Sequence, residues 1–191
     1  MKKDTLPTSQ TLPMKQKSMN KEHEILNMAW DLLSENEDVK ALYGLCLNIN
    51  HITFMGRVGE GVIAPIKAKT KNIRVYRDEL TSDFLVYGNL SKEFGLNYHF
   101  FGNETNKWNP HDDDTDASYT DLLVLQFEDE EQTIIAVDKY KHLTKEFLLI
   151  YNTKNIYERL EVRLKGFFEV AFQNGDFQNG ENFTVFTKTK S

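Results

Sequence analysis

The chain offers little material for covalent or metal chemistry. Its 191 residues include a single cysteine, Cys46, and four prolines. One thiol excludes an intrachain disulfide and a cysteine-rich zinc site, and it suits a reducing compartment, so the cytoplasm is the expected location. No apolar run approaches the roughly 20 residues that cross a bilayer, and Met1 to Pro7 lacks the continuous apolar core of a secretory signal. Positive charge is also in short supply. Lysine and arginine number 23 against 29 acidic residues, a formal net charge of -6, which argues against general attraction to nucleic acid or anionic membranes. There is no Gly-x-Ser-x-Gly elbow, no zincin motif and no kinase set, and His23, His99 and His142 stand singly.

A content of 40% hydrophobic and 12% aromatic residues suffices for a packed core. We expect a disordered tail over residues 1–18, which carry Pro7 and Pro13 and few apolar residues, with Met19 as an alternative start. Residues 19–191 then form one α+β domain, a mostly antiparallel sheet packed by two to four helices. Asn20 caps a first helix, along which Ile25, Leu26, Ala29, Leu32 and Leu33 recur at helical spacing. Glu37 and Asp38 open a second, with Val39, Leu42, Tyr43, Cys46 and Ile49 on one face, although Leu45, Leu47 and Ile49 also alternate as a strand would.

Val62–Ala64 reads as a short strand stopped at Pro65, and Lys67 to Tyr76 as a lysine-lined extended segment on a sheet edge. Phe84–Tyr87 and Tyr98–Phe101 read as strands. Leu122–Phe127 and Thr133–Val137 read as a central β-hairpin turned by Glu128 to Glu131. Thr153 caps a helix carrying Ile156, Leu160 and Leu164, and Phe167–Phe172 pairs with Phe183–Thr187 across two Asn-Gly turns.

Charge is segregated along the chain. Gly56 to Arg77 holds six basic residues against Glu60, a net of +5, and Glu104 to Glu131 holds ten carboxylates against Lys107, a net of -9. Such bipolarity favours oriented docking, with a partner or as a homodimer. The expected partner surface is Asp112, Asp113, Asp114, Asp116, Glu128, Asp129, Glu130 and Glu131. The expected anion or nucleic-acid surface is Lys67, Lys69, Lys71, Arg74 and Arg77, with Tyr76 for stacking.

Metal chemistry has two candidate seats. Asp112, Asp114 and Asp116 alternate and resemble the first ligands of an EF-hand calcium loop, but Ala117 stands at the glycine position and Leu123 at that of the bidentate glutamate. Asp121 and Asp138 at the ends of the expected hairpin, with Lys139 and Lys141, resemble the core of the restriction-endonuclease-like nucleases. That resemblance implies a magnesium or manganese ion held by the aspartates, with Lys139 assisting and Glu22 or Glu24 as a further ligand. Tyr140 stands where its pattern wants lysine. Gly56-Arg57-Val58-Gly59-Glu60-Gly61 suggests a phosphate cradle, without a Gly-Lys-Ser/Thr and without a strand-turn-helix setting. Cys46 and His51 suggest a thiol nucleophile, against a buried core role for Cys46.

The reading that follows is a non-enzymatic protein that binds and modulates a macromolecule through its acidic surface, as inhibitors, immunity proteins and regulatory subunits do, without a cofactor. The alternatives are a divalent-metal-dependent phosphodiesterase and a nucleic-acid-binding accessory protein.

Overall fold

The computed structural model describes residues 14–57, 59–77, 81–102, 119–174 and 182–190, with 14–20 as backbone only. Helix α1 spans Met14–Leu33 and α2 Glu37–Cys46, after which β1 runs from His51 to Gly56. A 3-10 turn at Glu60–Val62 leads into the short α3, Ile63–Ala68. Then come β2 (Asn72–Arg77), α4 (Ser82–Glu93), β3 (Asn97–Gly102) and β4 (Thr120–Gln126). The last part comprises α5 (Glu130–Tyr140), β5 (Thr144–Tyr151), α6 (Tyr157–Leu164), β6 (Phe168–Asn174) and β7 (Phe183–Lys188).

The strands form one sheet in the order β3-β2-β1-β4-β5-β7-β6. Pairs β2·β3, β1·β2, β1·β4 and β4·β5 are parallel; only β7 runs against its neighbours β5 and β6. Alternate residues of the central strands feed opposite cores, which is why these strands read as unbroken apolar runs. Ile52, Phe54, Ile73, Val75, Leu122 and Val124 pack with α1 to α4 on one face. Met55, Tyr76, Leu123, Leu125, Leu148 and Ile150 pack with α5 and α6 on the other. Among the described residues no helix is long and apolar enough to cross a membrane.

This is a three-layer α/β architecture, which corrects the expected antiparallel α+β sheet. The error lies chiefly in residues 133–137, which are helix, not strand. Thr133, Ile134, Ala136, Val137 and Tyr140 are buried along one face of α5 while Ile135 is 62% exposed, so the period is 3.6. The Asp129 carboxylate caps this helix, accepting from the Glu131 N–H at 2.9 Å. With a helix between them, β4 and β5 run parallel. Two more expected strands are helical: Phe84–Tyr87 lies in α4, and Val62–Ala64 leads into α3, which tolerates Pro65 in its first turn. The lysine-lined segment is no edge strand either, because β2 lies between β1 and β3 with Ile73 to Tyr76 buried. The helix expected after Thr153 and the C-terminal antiparallel pair are present, but Thr153 does not cap that helix: Ile156 is its N-cap, and the Thr153 hydroxyl bonds Asn182 and Thr184 instead. Helix α1 begins at Met14, and residues 1–13 lie outside the described residues.

Candidate functional site

The chain lays down β1, β2 and β3 outward in one direction, then returns to place β4 on the other side of β1. Where strand order reverses, the connections at the carboxyl ends of the two strands leave in opposite directions, and ligands of such sheets bind in the crevice between them. The glycine-rich turn Gly56 to Gly61 follows β1 at this point and leads into the 3-10 turn and α3. It therefore sits between a strand and a helix, the setting that seemed absent from the sequence. The run His51-Ile-Thr-Phe-Met55, rich in β-branched and aromatic residues, is the signal that would have placed a strand before it.

The three glycines do different work. Gly56 has φ +92°, and a Cβ there would lie 2.3 Å from the Gln126 carbonyl oxygen. Only glycine lets β1 stay registered against β4 to its last residue, Gly56 opposite Gln126, where the Arg57 N–H donates to the Gln126 carbonyl. At Gly59 no heavy atom among the described residues lies within 4 Å of where a Cβ would stand. Gly61 abuts α2, its virtual Cβ 2.8 Å from Leu42 Cδ1. Tight turn, open approach and close helix contact are the roles that glycines divide in dinucleotide-binding turns, here at a different spacing. Opposite the turn, the Arg57 guanidinium pairs with the Glu128 carboxylate just past β4. At the end of β2 the Arg77 guanidinium lies over the Phe84 ring, 5.2 Å from its centre. Asp78 and Glu79, next in the chain, lie outside the described residues.

Of the two expected metal seats, one falls on residues that are not described and the other has its side chains engaged elsewhere. Asp112, Asp113, Asp114 and Asp116 lie outside the described residues. Asp121 starts β4 and accepts from the backbone N–H groups of Asn50 and His51. Asp138 belongs to α5 and pairs with Lys141 and Arg163. Lys139 lies over the Tyr140 ring, 5.0 Å from its centre. Among the described residues no three His, Cys, Asp or Glu side chains are grouped to hold a metal ion.

Of the two charged stretches, Glu104 to Asp116 lies outside the described residues, and the described parts make the following contacts. Lys67 in α3 donates to Asn27, Lys69 is the left-handed cap of that helix, Lys71 immediately precedes β2, and Arg74 is buried in β2 at 4% exposure. On the acidic side Glu128 meets Arg57 from the basic stretch, Asp129 caps α5, Glu130 accepts from Asn155, and Glu131 pairs with Arg159 at 2.7 Å. Cys46 is buried, and burial pushes its thiol up to about 12 against a small opposing effect of Thr70, so the thiolate needed for nucleophilic attack is not formed at neutral pH.

No protein-family model and no curated protein matches the sequence. Solved structures do resemble the fold. The ribosomal protein L11 methylase of Lactobacillus delbrueckii subsp. bulgaricus is 11% identical, with a TM-score of 0.55 over 81% of this chain and 80% of that one. Magnesium protoporphyrin IX methyltransferase of Synechocystis PCC 6803, solved with bound S-adenosylmethionine, is 11% identical, with a TM-score of 0.51 over 95% and 86%. Aeropyrum pernix fibrillarin, with natively bound S-adenosylmethionine, is 12% identical, with a TM-score of 0.50 over 73% and 67%. These likenesses are of fold, and they run against the expectation of a cofactor-free inhibitor or regulator and against the phosphodiesterase alternative, since solved proteins of this fold include methyltransferases and two of those above hold S-adenosylmethionine. The chain has the Rossmann-like methyltransferase fold, a seven-stranded, mostly parallel sheet between helical layers.

Proposed function

We propose that the chain is a methyltransferase that binds S-adenosylmethionine at the carboxyl edge of β1, β2 and β4. The observation that carries this reading is the division of labour among Gly56, Gly59 and Gly61 at the point where strand order reverses. The residues present fit such a ligand. Among the described residues nothing stands against the Gly59 backbone, so a ligand can approach it closely. Asp78 and Glu79 follow the last residue of β2, about 20 positions after Gly59, the interval at which a carboxylate meets ribose hydroxyls in nucleotide-binding βαβ units. When bound, the group supplies a methyl on a positively charged sulfur for transfer to a nucleophile. The protein's part is then to hold donor and acceptor in line and keep water out, which alone lowers such a barrier substantially. Cytoplasmic residence suits a chain whose one thiol is buried and reduced.

Calorimetric titration with S-adenosylmethionine and with S-adenosylhomocysteine tests the proposal. Binding of both, lost in an Asp78→Ala/Glu79→Ala variant that melts like the wild type, supports it. Absence of binding heat with either ligand, across temperatures that would reveal a coincident zero enthalpy, overturns it.

A further inference from the structure

The outer side of α1 is apolar where a solvent-facing helix is normally polar. Its inner side packs into the core through Leu26, with Ala29, Trp30 and Leu33 partly buried. The opposite side carries Ile25, Met28 and Leu32, exposed by 37, 67 and 77%. They continue a line that begins at exposed Lys21 and ends at exposed Glu35, just past the helix. Lys21, Ile25, Met28, Leu32 and Glu35 follow one another at intervals of alternately four and three, the spacing of a helix–helix seam. An apolar ridge bounded by charges marks an interaction surface.

We infer that this seam is a homodimer interface in which α1 packs against α1 of a second copy, antiparallel about a two-fold axis at Met28. The charges choose both the occupant and the direction. Lys21 and Glu35 lie equally far from Met28, seven residues to either side. An antiparallel pair therefore sets each lysine beside the other copy's glutamate, twice over, and Ile25 near Leu32. A parallel pair would set lysine against lysine and glutamate against glutamate. A patch that is its own complement under a two-fold rotation is what an isologous interface requires. The helical part of the seam, Lys21 to Leu33, covers about 18 Å, which suits a modest interface.

Sedimentation equilibrium of the full chain tests this. Dimer is expected for the wild type, and monomer for Met28→Glu with an unchanged melting curve. Lys21→Glu should weaken the dimer about tenfold, and adding Glu35→Lys should restore it. A wild type that stays monomeric at every concentration overturns the inference. So does a dimer indifferent to Met28→Glu, which would place the contact elsewhere, or one that Lys21→Glu leaves unchanged, as parallel pairing would.

Discussion

The Asp121 carboxylate ties down the start of β1 by accepting the backbone N–H of His51 at 2.9 Å, a residue 70 positions away in sequence. The same oxygen accepts the Asn50 N–H at 3.0 Å and lies 3.3 Å from the His51 ring Nδ1. One side chain, only 13% exposed, thus satisfies two donors that the parallel ladder leaves open. Asp121→Ala should cost about 2 kcal/mol, the range of hydrogen bonds to a charged acceptor, and Asp121→Asn roughly half of that. Urea unfolding at constant slope measures both, and a difference below about 0.5 kcal/mol for the alanine variant would contradict the assignment.

Gly56→Ala should be far more damaging. The new methyl requires a positive φ and the space of the Gln126 carbonyl and the Phe127 ring, so β1 and β4 must part at their carboxyl ends. We expect a loss of about 3 kcal/mol or more. Gly59→Ala meets no neighbour within 4 Å among the described residues, so their packing gives no reason for a comparable loss. Thermal melts of the two variants side by side decide whether the glycines differ as described.

Stability should fall in acid through Asp138. Burial raises its pKa, but hydrogen bonds and charge from Lys141, then from Arg163, outweigh burial and hold the carboxyl below its ordinary 3.8. A carboxyl with a lower pKa folded than unfolded contributes its full stabilisation above the unfolded value and loses it as pH drops through the folded one. Asp138 is half exposed, so its local pair with Lys141 and its pair with Arg163 across to α6 together amount to about 1 kcal/mol or less. The stability gap between wild type and Asp138→Asn should be constant from neutral pH down to about 5 and close below about 4. A gap that widens in acid would reverse the sign argued here.

Cys46 should be silent to thiol reagents. With the side chain 1% exposed and its pKa pushed up to about 12 by burial, it presents neither access nor thiolate. Ellman's reagent at mildly alkaline pH should titrate one thiol in concentrated guanidinium and none in the native protein. Prompt native reaction would mean that α2 opens readily.

The contrast between α5 and α6 explains how far the sequence could be read. Ile156, Leu160 and Leu164 recur every four residues with Glu158, Arg159, Glu161 and Arg163 among the residues between, so only a helix buries all three, and α6 is where that period puts it. In α5 the run Thr133 to Val137 is continuous and β-branched, which a buried strand and a buried helix satisfy equally. The deciding signs were Asp129, Glu130 and Glu131 in front of it, a cap and an acidic first turn that also resemble a solvated hairpin. That one misreading turned a parallel sheet into an antiparallel one, and so hid the reversal of strand order that gives the glycine turn its meaning. Gly56, Gly59 and Gly61 stood out in the sequence. What they abut, Gln126 and Leu42, lies far along the chain and follows only from the fold.

The placement of β4 beside β1 has a consequence for biosynthesis. Asn50 and Asp121, which meet across these strands, are made 71 residues apart, an interval of about 4 to 14 s at usual elongation rates. By the end of that interval the nascent chain carries β1, β2 and β3, with the ladder groups of β1 and the apolar sides of Ile52 and Phe54 waiting for β4. A polypeptide stalled before Gln126 presents a naked, sticky sheet edge. Its strand order therefore leaves that edge unpaired until the middle third of the chain has been translated.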